Sequence, residues 1–208
     1  MPTGHFITLE GIEGCGKSTQ IKHLETALRT KKFNVVLTKE PGGTKIGQEI
    51  RKLLLHADRT EMASLTELFL YAADRHQHLQ EIVLPAIQSG KIVLSDRYAD
   101  ATTAYQGGGR GIDSKLLAQL HQQATNNLQP NLTILLDLPV EVGMERIAKR
   151  NLDRLENEKN NFHEAVRQGY LAIAKKEPKR VKVVDATQPV ETVHAVILKE
   201  VLKVCGQP

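Results

Sequence analysis

The residues Gly11-Ile12-Glu13-Gly14-Cys15-Gly16-Lys17-Ser18 match the spacing G-x-x-x-x-G-K-[ST] at every fixed position. Glycines in such a run let the backbone turn sharply and aim successive N–H groups inward at a polyphosphate. A helix beginning near Lys17 adds the positive end of its dipole. Lys17 is then placed to reach the β- and γ-phosphates and the Ser18 hydroxyl to ligate Mg²⁺. With Thr19 next in line, Gly11 through Thr19 make a nucleoside triphosphate site. The loop by itself does not say what receives the phosphoryl group, or whether anything does.

Other residues bear on that question. Asp96-Arg97 follows an apolar run, where a carboxylate can hold Mg²⁺ directly or through water and an arginine can grip a phosphate in two places. Asp137 ends another apolar run and rivals Asp96 for the metal. Arg146, Lys149, Arg150 and Arg154 fall close together, three of them at i, i+3, i+4 spacing. A mobile cation there would stabilise charge on a transferring phosphoryl group; the plainer reading is a solvated helix face. Cys15 reads as a small residue filling the loop. Glu40-Pro41-Gly42-Gly43, Arg51, Tyr71, Asp74-Arg75 and Tyr105 through Gly111 are weak signals one at a time.

These residues need a scaffold. His5 to Leu9, Phe33 to Leu37, Ile92 to Leu94, Leu132 to Leu136 and Val181 to Val184 read as buried strands. Helical spacing follows each of them: from Ser18, over Ile46 to Leu55 and Ser64 to Ser89, over Ser114 to Leu128, Val140 to Arg150 and Phe162 to Lys175, and from Val190 to Val204. Ala99 to Gly111 reads as a loop or helix start ending in a glycine cluster. Alternation of strand and helix predicts an α/β fold: three α/β/α layers around a five-stranded parallel sheet of the P-loop NTPase type, with ligands at the strand C-terminal ends. The expected organisation is one kinase domain over residues 1–208 with a mobile lid at about 144–157.

Composition sets the bounds. The chain has 208 residues, 40% of them hydrophobic, which suits one core. Its net charge of +4 and pI near 9.0 fit an anionic ligand, and without a dense basic tract they do not point to nucleic acid. Two cysteines without metal-ligand spacing favour a reducing cytoplasm. No signal-peptide pattern and no membrane-length apolar run is expected.

Taken together, the motifs resemble bacterial thymidylate kinases, nearly end to end. The landmarks are Glu10 through Ser18, Glu40-Pro41-Gly42-Gly43-Thr44, Ala73-Asp74-Arg75, Ser95-Asp96-Arg97-Tyr98, Ala104 through Gly111 and Leu152-Asp153-Arg154-Leu155-Glu156. The resemblance implies ATP- and Mg²⁺-dependent phosphorylation of dTMP to dTDP, and a homodimer. It implies Lys17, Arg97, Arg150 and Arg154 as catalytic cations, and Ser18 and Asp96 on the metal. It places Glu13 near the dTMP 3′-hydroxyl, and Arg51 and Arg97 on the acceptor phosphate. Tyr71 takes the position that stacks on thymine, Arg75 reaches a thymine carbonyl, Gln106 lines the base pocket and Tyr105 discriminates against a 2′-hydroxyl. Glu40, Pro41 and Thr102 complete the acceptor side, and Thr187 to Val190 match the adenine side. Where some family members carry an arginine inside the phosphate loop, this chain has Gly14. Tyr71 replaces a common phenylalanine. A kinase for another nucleotide or nucleoside is the near alternative. A P-loop binding module without an acceptor is the distant one; the guanine-reading N-K-x-D of GTPases is absent from the sequence.

Overall fold

The computed structural model describes residues 4–206. Five strands alternate with helices: β1 His5–Glu10, α1 Lys17–Thr30, β2 Val35–Lys39, α2 Lys45–Leu55, α3 Ser64–His78, α4 Leu84–Gln88, β3 Ile92–Asp96, α5 Ala99–Thr102, α6 Ser114–Thr125, β4 Leu132–Asp137, α7 Val140–Ile147, α8 Asn160–Lys176, β5 Val181–Asp185 and α9 Val190–Cys205. All strand pairs are parallel, in the order β2-β3-β1-β4-β5. The expected five-stranded parallel sheet with helices on both faces is present. β1 lies in the middle, where the chain changes from building one side of the sheet to the other, so its C-terminal end opens on the crevice used by ligands in this architecture.

Period-two alternation along β1 decides what lies on each face. Ile7 and Leu9 pack with Leu24 and Leu28 of α1 and Ile197 and Val201 of α9. Phe6 faces the other way, with Leu79, Val93 and Tyr98. A further cluster on that face joins Tyr105, Leu135, Val166 and Tyr170. Register then aligns the strand ends: Leu9 pairs with Asp96, and Lys39 with Asp96 on its other side. The residues that follow each strand therefore meet at one rim.

Several local expectations are corrected. The stretch Ser64 to Ser89 is not one regular helix. Leu79–Val83 forms a π-helical turn between α3 and α4, two residues before Pro85, which lacks an N–H and crowds the carbonyl a turn earlier. The glycine cluster after Ala99 is helical as well: Thr103–Gly109 is a second π-helical turn. Its glycines serve close packing, since a Cβ on Gly108 would lie 2.8 Å from the Ala165 carbonyl oxygen of α8 and one on Gly109 2.4 Å from the Phe162 ring. α7 stops at Ile147 rather than Arg150, and α6 at Thr125, where Asn126 and Asn127 turn left-handed at φ 49° and 58°. β3 extends to Asp96, so the carboxylate ends the strand instead of following it.

Candidate active site

The phosphate loop connects β1 to α1 as its sequence predicts. Gly16 at φ +92° is the N-cap of α1, and no side chain caps that helix end. Its leading N–H groups are left to an external acceptor. Gly14 has φ +70°, and a Cβ there would fall 2.0 Å from the Gly143 carbonyl oxygen of α7. With α7 placed as it is, this contact leaves no room for a side chain at position 14. Glu13 through Thr19 line a cavity of about 720 Å³. Gly11 and Ile12 lie beneath, and their carbonyls hold the Lys17 ammonium at 2.9 and 3.0 Å. Cys15 is buried, and its sulfur sits 3.4 Å from Lys17 Nζ, the filler role expected of it.

Beside the loop, Ser18 Oγ lies 3.5 Å from Asp96 Oδ2. Asp137, the rival, is gripped by both ends of the Arg167 guanidinium at 2.8 and 3.0 Å. Only Asp96 of the two belongs to the cavity wall. Two hard oxygens side by side at a polyphosphate cradle are a donor set that fits a phosphate-bound Mg²⁺.

Arg97 adopts φ +73°, an uncommon conformation for a side chain of this size. Its amide donates to the Leu9 carbonyl at 3.0 Å. The turn sends the guanidinium into a knot of groups from three elements. Nη2 donates to Glu13 Oε1 at 2.7 Å and to the Tyr105 hydroxyl at 3.0 Å, while Nη1 reaches the Tyr170 hydroxyl at 3.0 Å. The guanidinium also lies 4.9 Å from the Tyr105 ring centroid. Tyr105 donates to both Glu13 oxygens at 2.6 and 2.7 Å. Burial works to raise the Glu13 carboxyl, but the charges of Arg97 and Lys17 and the Tyr105 hydrogen bond outweigh it, and the group is held below the ordinary carboxylate range.

Glu10 sits behind this knot, fully buried, accepting from the Tyr98 amide at 2.7 Å and the Tyr170 hydroxyl at 2.8 Å. Burial first, then the neighbouring Asp100 carboxylate, push its carboxyl up to about 8, above the ordinary 4.5. The folded chain therefore holds a proton that the unfolded chain has released between those two values. Stability contributed by protonated Glu10 is fully present at low pH, falls as pH rises from about 4.5 to about 8, and levels off above. Urea unfolding of Glu10→Gln across that window is expected to lack this downward slope; an unchanged slope would assign it to another group.

The remaining cavity wall comes from the β2 end, α2, α3 and the π-helical turn. Glu40 is clamped by Arg75 Nε and His78 Nδ1, both at 2.8 Å. Thr44 caps α2 through the Gly47 amide at 2.9 Å, and this helix carries Arg51 to the Pro41 carbonyl, also at 2.9 Å. Tyr71, Arg75, Thr102, Tyr105 and Gln106 all line the cavity, and the buried Thr102 Oγ1 has no hydrogen-bond partner among the described residues.

The cations of the expected lid separate. Arg150 borders the cavity and is ion-paired with Glu156. Arg154 is not brought to the phosphate loop. It is buried, donating to the Leu54 carbonyl at 2.8 Å and to Glu67 Oε2 at 2.5 Å, and it does not line the cavity. A carboxylate in the core outcompetes the cavity for this guanidinium. Arg146, in contrast, reaches the loop itself, with Nη1 3.2 Å from the Gly14 carbonyl and Nη2 3.2 Å from that of Ala186. Its membership of the i, i+3, i+4 set was the only local signal for it. Tyr170 and Glu67, which complete the two polar knots, have no local signal.

Comparison of the sequence with other proteins places it among known relatives. The sequence model of a family described as thymidylate kinase matches residues 9–197. A thymidylate kinase of Desulfovibrio desulfuricans is 48% identical over 196 residues, covering 90% of each chain. One of Ectopseudomonas mendocina is 50% identical, covering 98% of this chain and 99% of its own. One of Pseudomonas putida is 51% identical over 92% and 93%.

Proposed function

The chain belongs to the thymidylate kinase family, and on that premise we propose that one cavity seats ATP–Mg²⁺ at the phosphate loop and dTMP against α2, α3 and the π-helical turn. The reaction is transfer of the γ-phosphoryl group to the dTMP phosphate, giving dTDP and ADP. The observation that carries this reading is the continuity of the cavity from Lys17 and Ser18 to Tyr71, Arg75 and Gln106. A binding module without an acceptor has no use for that second half.

The acceptor phosphate is already an anionic nucleophile, so the chemical problem is charge rather than proton removal. Lys17, Arg97 and Arg51 bring positive charge around two anions, and Arg146 and Arg150 add it from the lid side. Arg150 exchanges Glu156 for phosphate as the lid over residues 144–157 closes, which excludes water and limits hydrolysis. Glu13 and Tyr105, hydrogen-bonded to each other, meet the sugar; a 2′-hydroxyl would intrude on that pair. Tyr71 stacks on the base. Ser18 and Asp96 are the residues that would hold Mg²⁺, which would supply positive charge to the phosphates when bound. Asp96→Asn is expected to raise the Mg²⁺ concentration needed for half-maximal rate by roughly 10-fold, the usual range for loss of a metal-orienting group. A magnesium titration that matches wild type would remove Asp96 from the metal.

We propose that the chain associates as a homodimer through the surface of α2 and α3. Ile46, Leu53, Leu65 and Phe69 are each about half exposed there, and together they make an apolar face suited to a second copy. Both cysteines are free, in keeping with a reducing, cytoplasmic setting. Among the described residues no helix is long and apolar enough to cross a membrane.

Release of ADP from ATP with dTMP, dUMP, UMP, dCMP, dGMP and AMP as acceptors tests the proposal. The expected order puts dTMP first and dUMP second. A faster rate with a purine nucleotide would retain the phosphate chemistry and refute the acceptor side.

A further inference from the structure

Glu67 belongs to none of the substrate-facing residues above, yet it is fully buried and receives four hydrogen bonds. Oε1 accepts from Gln106 Nε2 at 2.8 Å and from Arg110 Nε at 3.3 Å. Oε2 accepts from Arg110 Nη2 at 3.1 Å and from Arg154 Nη2 at 2.5 Å. Burial works to raise the Glu67 carboxyl, and the bonds from Arg110, Gln106 and Arg154 outweigh it, so the group stays charged. A charged carboxylate has acceptors and no donor. The amide of Gln106 can therefore face Glu67 only with its NH₂ end. Gln106 is nearly fully buried and lines the cavity beside Tyr71 and Arg75. With its nitrogen committed, its oxygen is the end left for a ligand.

The geometry points to Glu67 as the residue that sets base specificity, by fixing the Gln106 side-chain amide so that it presents an acceptor and not a donor to the base. This rests on the acceptor site proposed above. Thymine and uracil carry N3–H, a donor that matches the Gln106 oxygen. Cytosine carries a bare N3, an acceptor that meets it lone pair to lone pair and leaves both groups unpaired. Glu67 is thus a positioning residue for an imide base. The same carboxylate holds Arg154, so the lid segment and the base-reading amide share one anchor.

The isosteric variant Glu67→Gln tests this. In it one oxygen remains to serve the two arginines, and the new NH₂ faces position 106. Gln106 must then turn its oxygen to Gln's amide and its NH₂ to the base, which suits cytosine. The ratio of kcat/KM for dTMP to that for dCMP is expected to fall at least about 10-fold in E67Q, the fold-change that leaving one buried polar group unpaired produces. Arg75, unchanged, contributes the same factor to this ratio in wild type and in E67Q, so it cancels from the comparison. The exchange E67Q/Q106E restores a donor facing an acceptor and returns an acceptor to the base. It is expected to recover preference for dTMP, and it gives a second readout where the single variant does not fold. A ratio in E67Q within two-fold of wild type, with both rates reduced alike, overturns the proposal, as does an exchange variant that stays as relaxed as E67Q. Wild-type enzyme without dTMP-dependent ADP release would instead overturn the acceptor site itself.

Discussion

Lys17→Ala is expected to lower kcat/KM for ATP and dTMP by ~10²–10³-fold, the cost of removing one preorganised donor from a developing anion, with little change in folding stability. The side chain takes no part in the hydrophobic core. Its ammonium rests on the carbonyls of Gly11 and Ile12 at 2.9 and 3.0 Å, at the floor of the cavity. Loss of those contacts leaves two loop carbonyls to water in an open site, which costs the fold little. The expectation is therefore a split: activity collapses while the urea midpoint holds. Steady-state rates paired with urea melts check it. An equal loss in both would mean that Lys17 supports the loop rather than the phosphates.

Arg97→Ala is expected to fail on both counts. The guanidinium joins Glu13, Tyr105 and Tyr170, and without it the partly buried Glu13 carboxylate keeps the Tyr105 hydroxyl but loses its cation. Breaking a fully buried pair by deleting one partner costs about 3–5 kcal/mol, and this pair, partly exposed on the cavity wall, is expected to lose less than that. The lost contact to the acceptor phosphate adds a drop in kcat/KM of ~10²-fold or more. Arg97→Lys should recover part of the stability and little of the rate, because an ammonium cannot bridge three partners in one plane. Thermal melts and dTMP titrations of both variants check this. A stable, fully active Arg97→Ala would remove the knot from the mechanism.

How much of this was written locally in the chain differs from residue to residue. Gly11 through Ser18 and the five strands are short-range patterns, a fixed spacing and apolar runs, and all are present, with β2 two residues later than read and β3 two residues longer. The sheet order puts Asp96 beside Leu9 and Lys39, and so the site at the strand ends follows from the alternation. Contacts between distant segments were not legible. The partners of Arg97 lie 84, 73 and 8 residues away, and nothing near Tyr170 marks it as one of them. Asp96 and Asp137 look alike in sequence; what separates them is Arg167, supplied by α8. Arg154 read as a lid cation because its neighbours are basic, while its actual partner Glu67 lies 87 residues upstream on a helix. The glycines after Gln106 read as the end of a loop or helix start because glycine serves mobility and close packing equally, and only the position of α8 decides which.

The most direct test follows the label from [γ-³²P]ATP in the presence and absence of dTMP. If the cavity seats donor and acceptor together, the label appears in dTDP, depends on dTMP, and stays out of inorganic phosphate. Label released as inorganic phosphate at the same rate with or without dTMP would contradict the shared cavity, because it would mean that water, and not the nucleotide at α3, meets the γ-phosphate.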